Sequence, residues 1–146
     1  MGGERPVSEH RLRRRVQFHE TDAAGLVHFA AFFRYMEEAE HALWRAAGLS
    51  IAPAGSEIGF PRLAASFEYH RPLHFEDEFE AHIRITSMDR HTIRYRCVLS
   101  LAGERVATGE LAIVCVGNRP NEPMKATPIP AHVAERLRPA ADPEGA

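Results

Sequence analysis

Lysine is almost absent from this chain: of 18 basic residues only Lys125 is a lysine, and the rest are arginine. With abundant alanine, that bias reads first as the mark of a GC-rich genome and only second as phosphate recognition. Cysteine is scarce too. Cys97 and Cys115 lie in apolar, strand-like runs and neither belongs to a CxxC pair, which argues against a zinc or redox motif and for buried free thiols. No stretch approaches the ~20 apolar residues that span a bilayer. The segment Met1 to His10 is polar and lacks an apolar signal core, so a cytoplasmic protein is expected. An excess of one charge is also missing. The formal net charge of −2 exerts no global pull toward nucleic acid, and any anion site must be local.

What remains is an ordinary globular composition. With 146 residues, 45% hydrophobic and 26% charged, the chain is long enough for one domain with a proper core. That domain is expected at 11–138, between flexible tails at 1–10 and 139–146 that are rich in Gly, Pro, Glu and Ala.

Leu12, Arg14, Val16 and Phe18 alternate with Arg13, Arg15 and Gln17, which predicts a first strand. Arg14 breaks the apolar series, placing this strand at an edge or near a surface. A loop follows from His19 to Val27. From His28 the period changes: Phe29, Phe32, Phe33, Met36, Leu43, Trp44 and Ala47 recur at helical spacing, and Gly48 is a natural stop. About 20 residues at ~1.5 Å each predict a helix of roughly 30 Å, whose apolar stripe needs a broad surface over it.

After a loop at 49–60, strand signals dominate. Leu63, Ala65, Phe67 and Tyr69 share one parity, as do Phe79, Ala81, Ile83 and Ile85, and then Ile93, Tyr95, Cys97 and Leu99. Val106 to Val116 is more uniformly apolar, as in a central strand covered on both faces. Met88-Asp89-Arg90-His91 and Ala102-Gly103-Glu104 are connections of hairpin length. Pro120, Pro123, Pro128 and Pro130 end the regular sheet, and a short helix is expected from Ala131 to Leu137. The economical packing is an α+β fold in which an antiparallel sheet of about five strands, four of them a meander, wraps around one long helix. Its exposed edge strand invites side-by-side pairing of two subunits.

Spacing alone favours a turn or N-cap role for Asp22, although it lies about six residues before the first helical apolar position, far for a simple cap. The surrounding residues say more. Phe18-His19-Glu20-Thr21-Asp22-Ala23-Ala24-Gly25-Leu26-Val27-His28-Phe29, followed by Phe32-Phe33-Arg34-Tyr35-Met36-Glu37, resembles the signature of hotdog-fold acyl-CoA thioesterases of the 4-hydroxybenzoyl-CoA thioesterase type, similar to the Tol–Pal-associated acyl-CoA thioesterases. The likeness runs from about Leu12 to about Gly117, and its sharp part is Thr21 to Gly25 with the aromatic helix start.

The resemblance implies a hotdog homodimer or a homotetramer built of two dimers, an acyl-CoA substrate bound at the subunit interface, and neither metal nor cofactor. It gives Asp22 the place of the catalytic carboxylate and the backbone N–H of Phe29 the place that polarises the thioester carbonyl. Gly25 falls in the turn that brings the backbone close to the acyl group. Thr21, Ala24, His28, Phe32, Phe33 and Phe60 become candidate substrate contacts, with Leu63 to Ser66 of a partner subunit. Arg90 and His91 occupy the turn where this type places basic phosphate contacts. Where many relatives open the helix with Tyr-His, this chain has His28-Phe29, so no role tied to a histidine at the second position is transferred.

The chemistry suits those residues. A helix N-terminus supplies free N–H donors and a positive dipole end to a developing oxyanion. An Asp just before it attacks the carbonyl directly or activates a water, and the coenzyme A thiolate leaves without a strong general acid. Glu37, Glu38 and Glu40 read as a solvated or interface-paired helix face, with Glu37 the best placed to act as a second acid or base. His70 and His74 have a metal-like spacing, but Pro72 between them prevents the helix that would align them. Arg62, Arg71 and Arg119 are looser phosphate candidates. Two other functions stay open: a hotdog hydratase or dehydratase of enoyl or hydroxyacyl thioesters, using Asp22 with His28, and a non-catalytic module that binds an acyl thioester.

Overall fold

The computed structural model describes residues 5–117 and 119–141; the expectations for 1–4 and 142–146 lie outside the described residues. Strand β1 (Glu9–Arg15) leads through a 3-10 turn (Phe18–Glu20) and a loop to helix α1 (Ala31–Ala46). Then come β2 (Ile58–Gly59), β3 (Arg62–Tyr69), β4 (Glu78–Met88), β5 (Thr92–Leu101), β6 (Glu104–Val114), β7 (Val116–Gly117) and the short α2 (Ala131–Ala134). Five strands form one sheet in the order β1-β4-β5-β6-β3, and β2 pairs with β7. Every pairing is antiparallel. The architecture is the expected hotdog: one sheet around one long helix.

The pleat explains the curl. Phe79, Ala81, Ile83 and Ile85 of β4 and Ile93, Tyr95, Cys97 and Leu99 of β5 are buried, whereas His82, Arg84, Arg94 and Arg96 between them are not. Helix α1 meets that face with Phe32, Tyr35, Met36, Ala39 and Leu43, the i, i+3, i+4, i+7 stripe of an amphipathic helix. Trp44 is also fully buried, and its indole N–H donates to the Tyr95 hydroxyl at 2.9 Å, so neither polar group is left unsatisfied.

Several expectations need correction. Only β4, β5 and β6 form a meander. The 70–77 connection contains Pro72 and is too long for a hairpin, so β3 pairs with β6 at the far edge and β4 pairs with β1. That makes β5 the central strand rather than β6. Helix α1 has 16 residues, about 24 Å. Its start moves from His28 to Ala31 because the His28 N–H is taken by the Glu20 carbonyl. It ends as expected: the N–H groups of Gly48 and Leu49 return to the carbonyls of Arg45 and Trp44. The tail boundaries shift as well. The Val7 N–H donates to the Arg136 carbonyl, the Arg138 N–H to Val7, and the Ala140 N–H to Ile85, so the chain is held from Val7 and as far as Ala140. Helix α2 is shorter than Ala131 to Leu137, although Val133 and Leu137 both reach the core.

Strand β3 is an unusual edge. All its residues except Phe67 are exposed, on both faces, including Leu63 at 55% and Tyr69 at 46%. Phe67 lies across β6 where its register partner is Gly109; a Cβ there would come within 2.6 Å of the ring. The start of β3 is tied to α1 by Arg62. Its guanidinium lies 2.8 and 3.2 Å from the two oxygens of the fully buried Glu40 carboxylate and 2.9 Å from Glu37. No donor is well aligned on Glu40 Oε1 among the described residues; Arg62 is the main counter-charge, and the Tyr95 hydroxyl adds a hydrogen bond to the same carboxylate. Removing one partner of a buried pair strands the other. Arg62→Ala should therefore lower unfolding stability by about 3 kcal/mol, read by urea denaturation at fixed protein concentration; a change within experimental error would show that Glu40 is not held as a charge.

Candidate active site

Between the 3-10 turn and α1 the chain closes a small loop. Thr21 bridges Val27, the Asp22 N–H donates to the Leu26 carbonyl at 2.7 Å, and the His28 N–H donates to the Glu20 carbonyl at 2.8 Å. The loop lies against the β3–β4 connection: the Val27 N–H donates to Leu73, and Leu26 bridges His74. Inside it, Asp22 Oδ1 accepts from the N–H groups of Ala24 (2.9 Å) and Leu26 (3.2 Å), an Asx-type turn. The other carboxylate oxygen has no partner among the described residues, and the residue is exposed. Gly25 sits at φ +81° and a Cβ there would meet nothing, so glycine is required by the left-handed turn and not by crowding.

The helix start complements that carboxylate. The N-cap, Ala30, has no capping side chain. The ring Nδ1 of His28 accepts the Ala30 N–H at 3.1 Å and the His28 carbonyl accepts the Ala31 N–H at 2.9 Å. Between these, the Phe29 N–H has no acceptor among the described residues, at the positive end of α1. The Phe29 carbonyl is fixed from the other side by the Tyr69 hydroxyl at 2.9 Å.

Next to this point aromatic rings gather. Phe32 meets Tyr69 and Phe67 edge-on at 4.9 and 5.8 Å, and Phe33 meets Phe67 at 5.2 Å. The exposed ring of Phe29 stacks on His28. One local patch therefore collects Asp22, Ala24, Gly25, His28, Phe29, Phe32 and Phe33, with Thr21 in the loop neck through its hydroxyl bond to the Phe18 carbonyl.

Other predicted contacts lie elsewhere on the chain. Phe60 meets Trp44 edge-on at 5.1 Å, and Leu63 belongs to the start of β3, the end away from Tyr69; Ser66 is midway. Arg90 and His91 follow β4, whose 11 residues at ~3.3 Å each put them roughly 35 Å from the end that faces the Asp22 loop. There Asp89 orders the turn by accepting the N–H groups of His91 and Thr92. The side-chain hydroxyl of Thr92 and those two backbone donors pull its carboxyl down to about 2. No hydrogen bond joins Asp22 and His28 among the described residues: His28 Nδ1 accepts from its own helix start and Asp22 Oδ1 from its own turn. Glu37 points to Arg62, not toward Asp22. His70 contacts Thr108 and His74 lies near Asp77, each separately.

Sequence reasoning missed Phe67, Tyr69, Arg14 and Glu20 as parts of this site. Phe67 and Tyr69 carried a signal, their shared parity. So did Arg14, which takes an inward-parity place in β1. It reaches Glu20 at 2.5 and 3.1 Å and Glu38 at 2.8 and 3.1 Å, with its guanidinium 5.0 Å above the Tyr35 ring.

An antiparallel sheet curled on one long helix, entered through the Asp22 loop, defines a protein of the hotdog class. Over residues 16–137 the chain matches the family described as the thioesterase-like superfamily, and it belongs to that family. It is 35% identical over 129 residues to "Putative esterase" of Aquifex aeolicus, covering 86% of this chain and 95% of that protein. It is 27% identical over 139 residues to the 1,4-dihydroxy-2-naphthoyl-CoA hydrolase of Synechococcus elongatus, covering 93% of this chain and all of that one (100%). Among solved structures, a hypothetical protein from Aquifex aeolicus superposes with a TM-score of 0.82 at 33% identity, over 88% of this chain and 99% of the other.

Burial works against the charge on Glu20. Donors from Arg14, the Gln17 N–H and the Tyr35 hydroxyl outweigh it, so the carboxyl lies below the ordinary carboxylate range. Glu38 and His19, 3.9 Å away, are the other charged or titratable groups around it. A depressed folded-state value gives stability that is complete above the unfolded value and lost as pH falls through the folded one. The stability gap between the native protein and Glu20→Gln should therefore hold through neutral pH and narrow in acid, below the ordinary carboxylate range. Urea denaturation at neutral and acid pH reads it, and a gap that widens in acid would contradict the assignment.

Proposed function

We propose that the chain hydrolyses coenzyme A thioesters of aromatic acids, with Asp22 as nucleophile or general base and the Phe29 N–H polarising the carbonyl. One observation carries this reading: among the described residues, one Asp22 oxygen inside the loop closed by Glu20 and His28 is without a partner, and so is the N–H of Phe29, the residue just past that closure. In the first route the free oxygen adds to the thioester carbon, the C–S bond breaks, coenzyme A leaves as thiolate, and water hydrolyses the mixed anhydride. In the second, Asp22 takes a proton from a water that adds to the same carbon, and the adduct collapses with C–S cleavage to release the acid and the coenzyme A thiolate. Either way the carbonyl oxygen gains negative charge beside a preorganised donor at a helix end, where such donors act most strongly.

The acyl class is read from the rings. Phe29, Phe33, Phe67 and Tyr69 offer edges and faces to an aromatic acid, with the buried Phe32 ring packed behind Phe67 and Tyr69. The Synechococcus elongatus relative is named for a naphthoyl thioester. Thr21, Ala24 and His28 border the reacting atoms.

The reading also calls for a homodimer, alone or as half of a homotetramer. Strand β3 is exposed on both faces and unpaired on its outer side, a template for a second copy. Antiparallel pairing about a twofold axis sets the start of one β3 beside the end of the other. Phe60, Leu63, Ser66, Arg90 and His91 of the second subunit then approach the Asp22 loop of the first, which no single chain achieves. Arg90 and His91 would meet the phosphates of coenzyme A.

Purified protein offered aryl- and aliphatic acyl-CoAs, with thiol release followed, tests the proposal. Hydrolysis of the aryl thioesters should dominate, and Asp22→Asn should lower kcat by about 100-fold or more, the scale of losing general base catalysis. An Asp22→Asn variant of full activity would sink the assignment. Light scattering should give a mass of at least two chains, and a strict monomer would remove the shared site.

A further inference from the structure

Glu20 lies two residues before Asp22 and governs both ends of the loop that carries it. Its side chain is only 10% exposed, although the loop beyond it is open to solvent. Three elements converge on its carboxylate: Arg14 of β1, the Gln17 N–H at 2.8 Å, and the Tyr35 hydroxyl of α1 at 2.8 Å. Its backbone carbonyl meanwhile accepts the His28 N–H, the peptide group just before Phe29. One residue thus fixes where the loop leaves and where it returns. Arg14 is pre-set for this by its second ion pair, to Glu38, and by the Tyr35 ring beneath it.

We propose that Glu20 is a positioning residue for hydrolysis: its carboxylate, clamped by Arg14 and the Tyr35 hydroxyl, holds the Asp22 oxygen and the Phe29 N–H at their working separation. This rests on the catalytic reading of Asp22. Among the described residues, neither the Asp22 carboxylate nor the Phe29 N–H bonds to another element. The Asx turn holds Asp22 within the loop, and Tyr69 holds only the far side of the Phe29 residue. The Val27 and Leu26 bonds to Leu73 and His74 seat the loop on the β3–β4 connection, and Glu20 supplies its side-chain tie to β1 and α1. Reactivity is steep in such placement, since an error of about 1 Å costs about 100-fold. Replacing the carboxylate with an amide keeps the shape, but an NH2 donor then confronts the guanidinium donors of Arg14, and the clamp opens.

The test compares the native protein with Glu20→Gln, Tyr35→Phe and Val133→Ala, the last a core truncation in α2 remote from the loop. Steady-state kinetics on an aryl-CoA, at a temperature where circular dichroism shows every variant folded, is combined with amide hydrogen exchange of residues 21–29. Glu20→Gln should lower kcat by about 10- to 100-fold with KM nearly unchanged, and speed exchange across the loop. Tyr35→Phe should do both to a lesser degree. Val133→Ala should leave kcat and loop exchange alone even where it lowers the melting temperature. A folded Glu20→Gln with native kcat, unchanged loop exchange, or a kcat loss matched by Val133→Ala would overturn the proposal. If Glu20→Gln does not fold, Tyr35→Phe decides, and native kcat there overturns it equally. A native protein inactive on every thioester would instead defeat the thioesterase reading, while loop exchange would still report on the clamp.

Discussion

One helix must be covered by one sheet, and almost everything else follows from that demand. The stripe of Phe32, Tyr35, Met36, Ala39 and Leu43 on α1 is too wide to hide against a single neighbour. The alternating faces of β4 and β5 supply the middle of the cover, and the sheet curls to bring its edges in. Apolar burial drives the curl, but it is non-directional. It does not decide how the edge strands sit along the helix.

Two arginines make that decision. Arg14 from β1 and Arg62 from β3 come from opposite edges of the sheet, and each forks between two acidic groups, at least one of them on α1. Arg62 meets a fully buried carboxylate, and Arg14 meets Glu20 at the threshold of the loop. Directional, charge-assisted bonds of this kind fix register where hydrophobic contact would allow sliding. The pair of clamps thus converts a curled sheet into a framework with defined ends, one of which carries Asp22 and the free Phe29 N–H.

The polar chemistry of the loop depends on what the helix start lacks. Ala30 offers no capping oxygen, so the dipole end is not consumed internally, and His28 takes the neighbouring N–H groups while leaving that of Phe29 open. Asp22 spends one oxygen on its own turn and keeps the other. A turn residue and a reactive carboxylate are here the same residue, each oxygen serving one purpose.

Much of this was legible in the sequence because it rests on local periodicity. The alternation at Phe79 to Ile85 and at Ile93 to Leu99 fixes the buried face of each strand. The spacing from Phe32 to Trp44 dictates an amphipathic helix, and Gly48 ends it. The motif from Thr21 to Gly25 points to the loop and its carboxylate. None of those signals says which strands are neighbours. That β3 crosses to β6, that Arg14, on an edge strand as expected, reaches Glu20 and Glu38, and that Arg90 lies at the far end of the sheet from Asp22 depend on contacts between residues distant in the chain. The sequence by itself determined the buried faces of β4, β5 and α1 and which loop carries Asp22, since repeat and turn chemistry are local properties. Only the tertiary structure decided which of them meet, because strand order and ion-pair geometry are settled when the sheet closes on the helix.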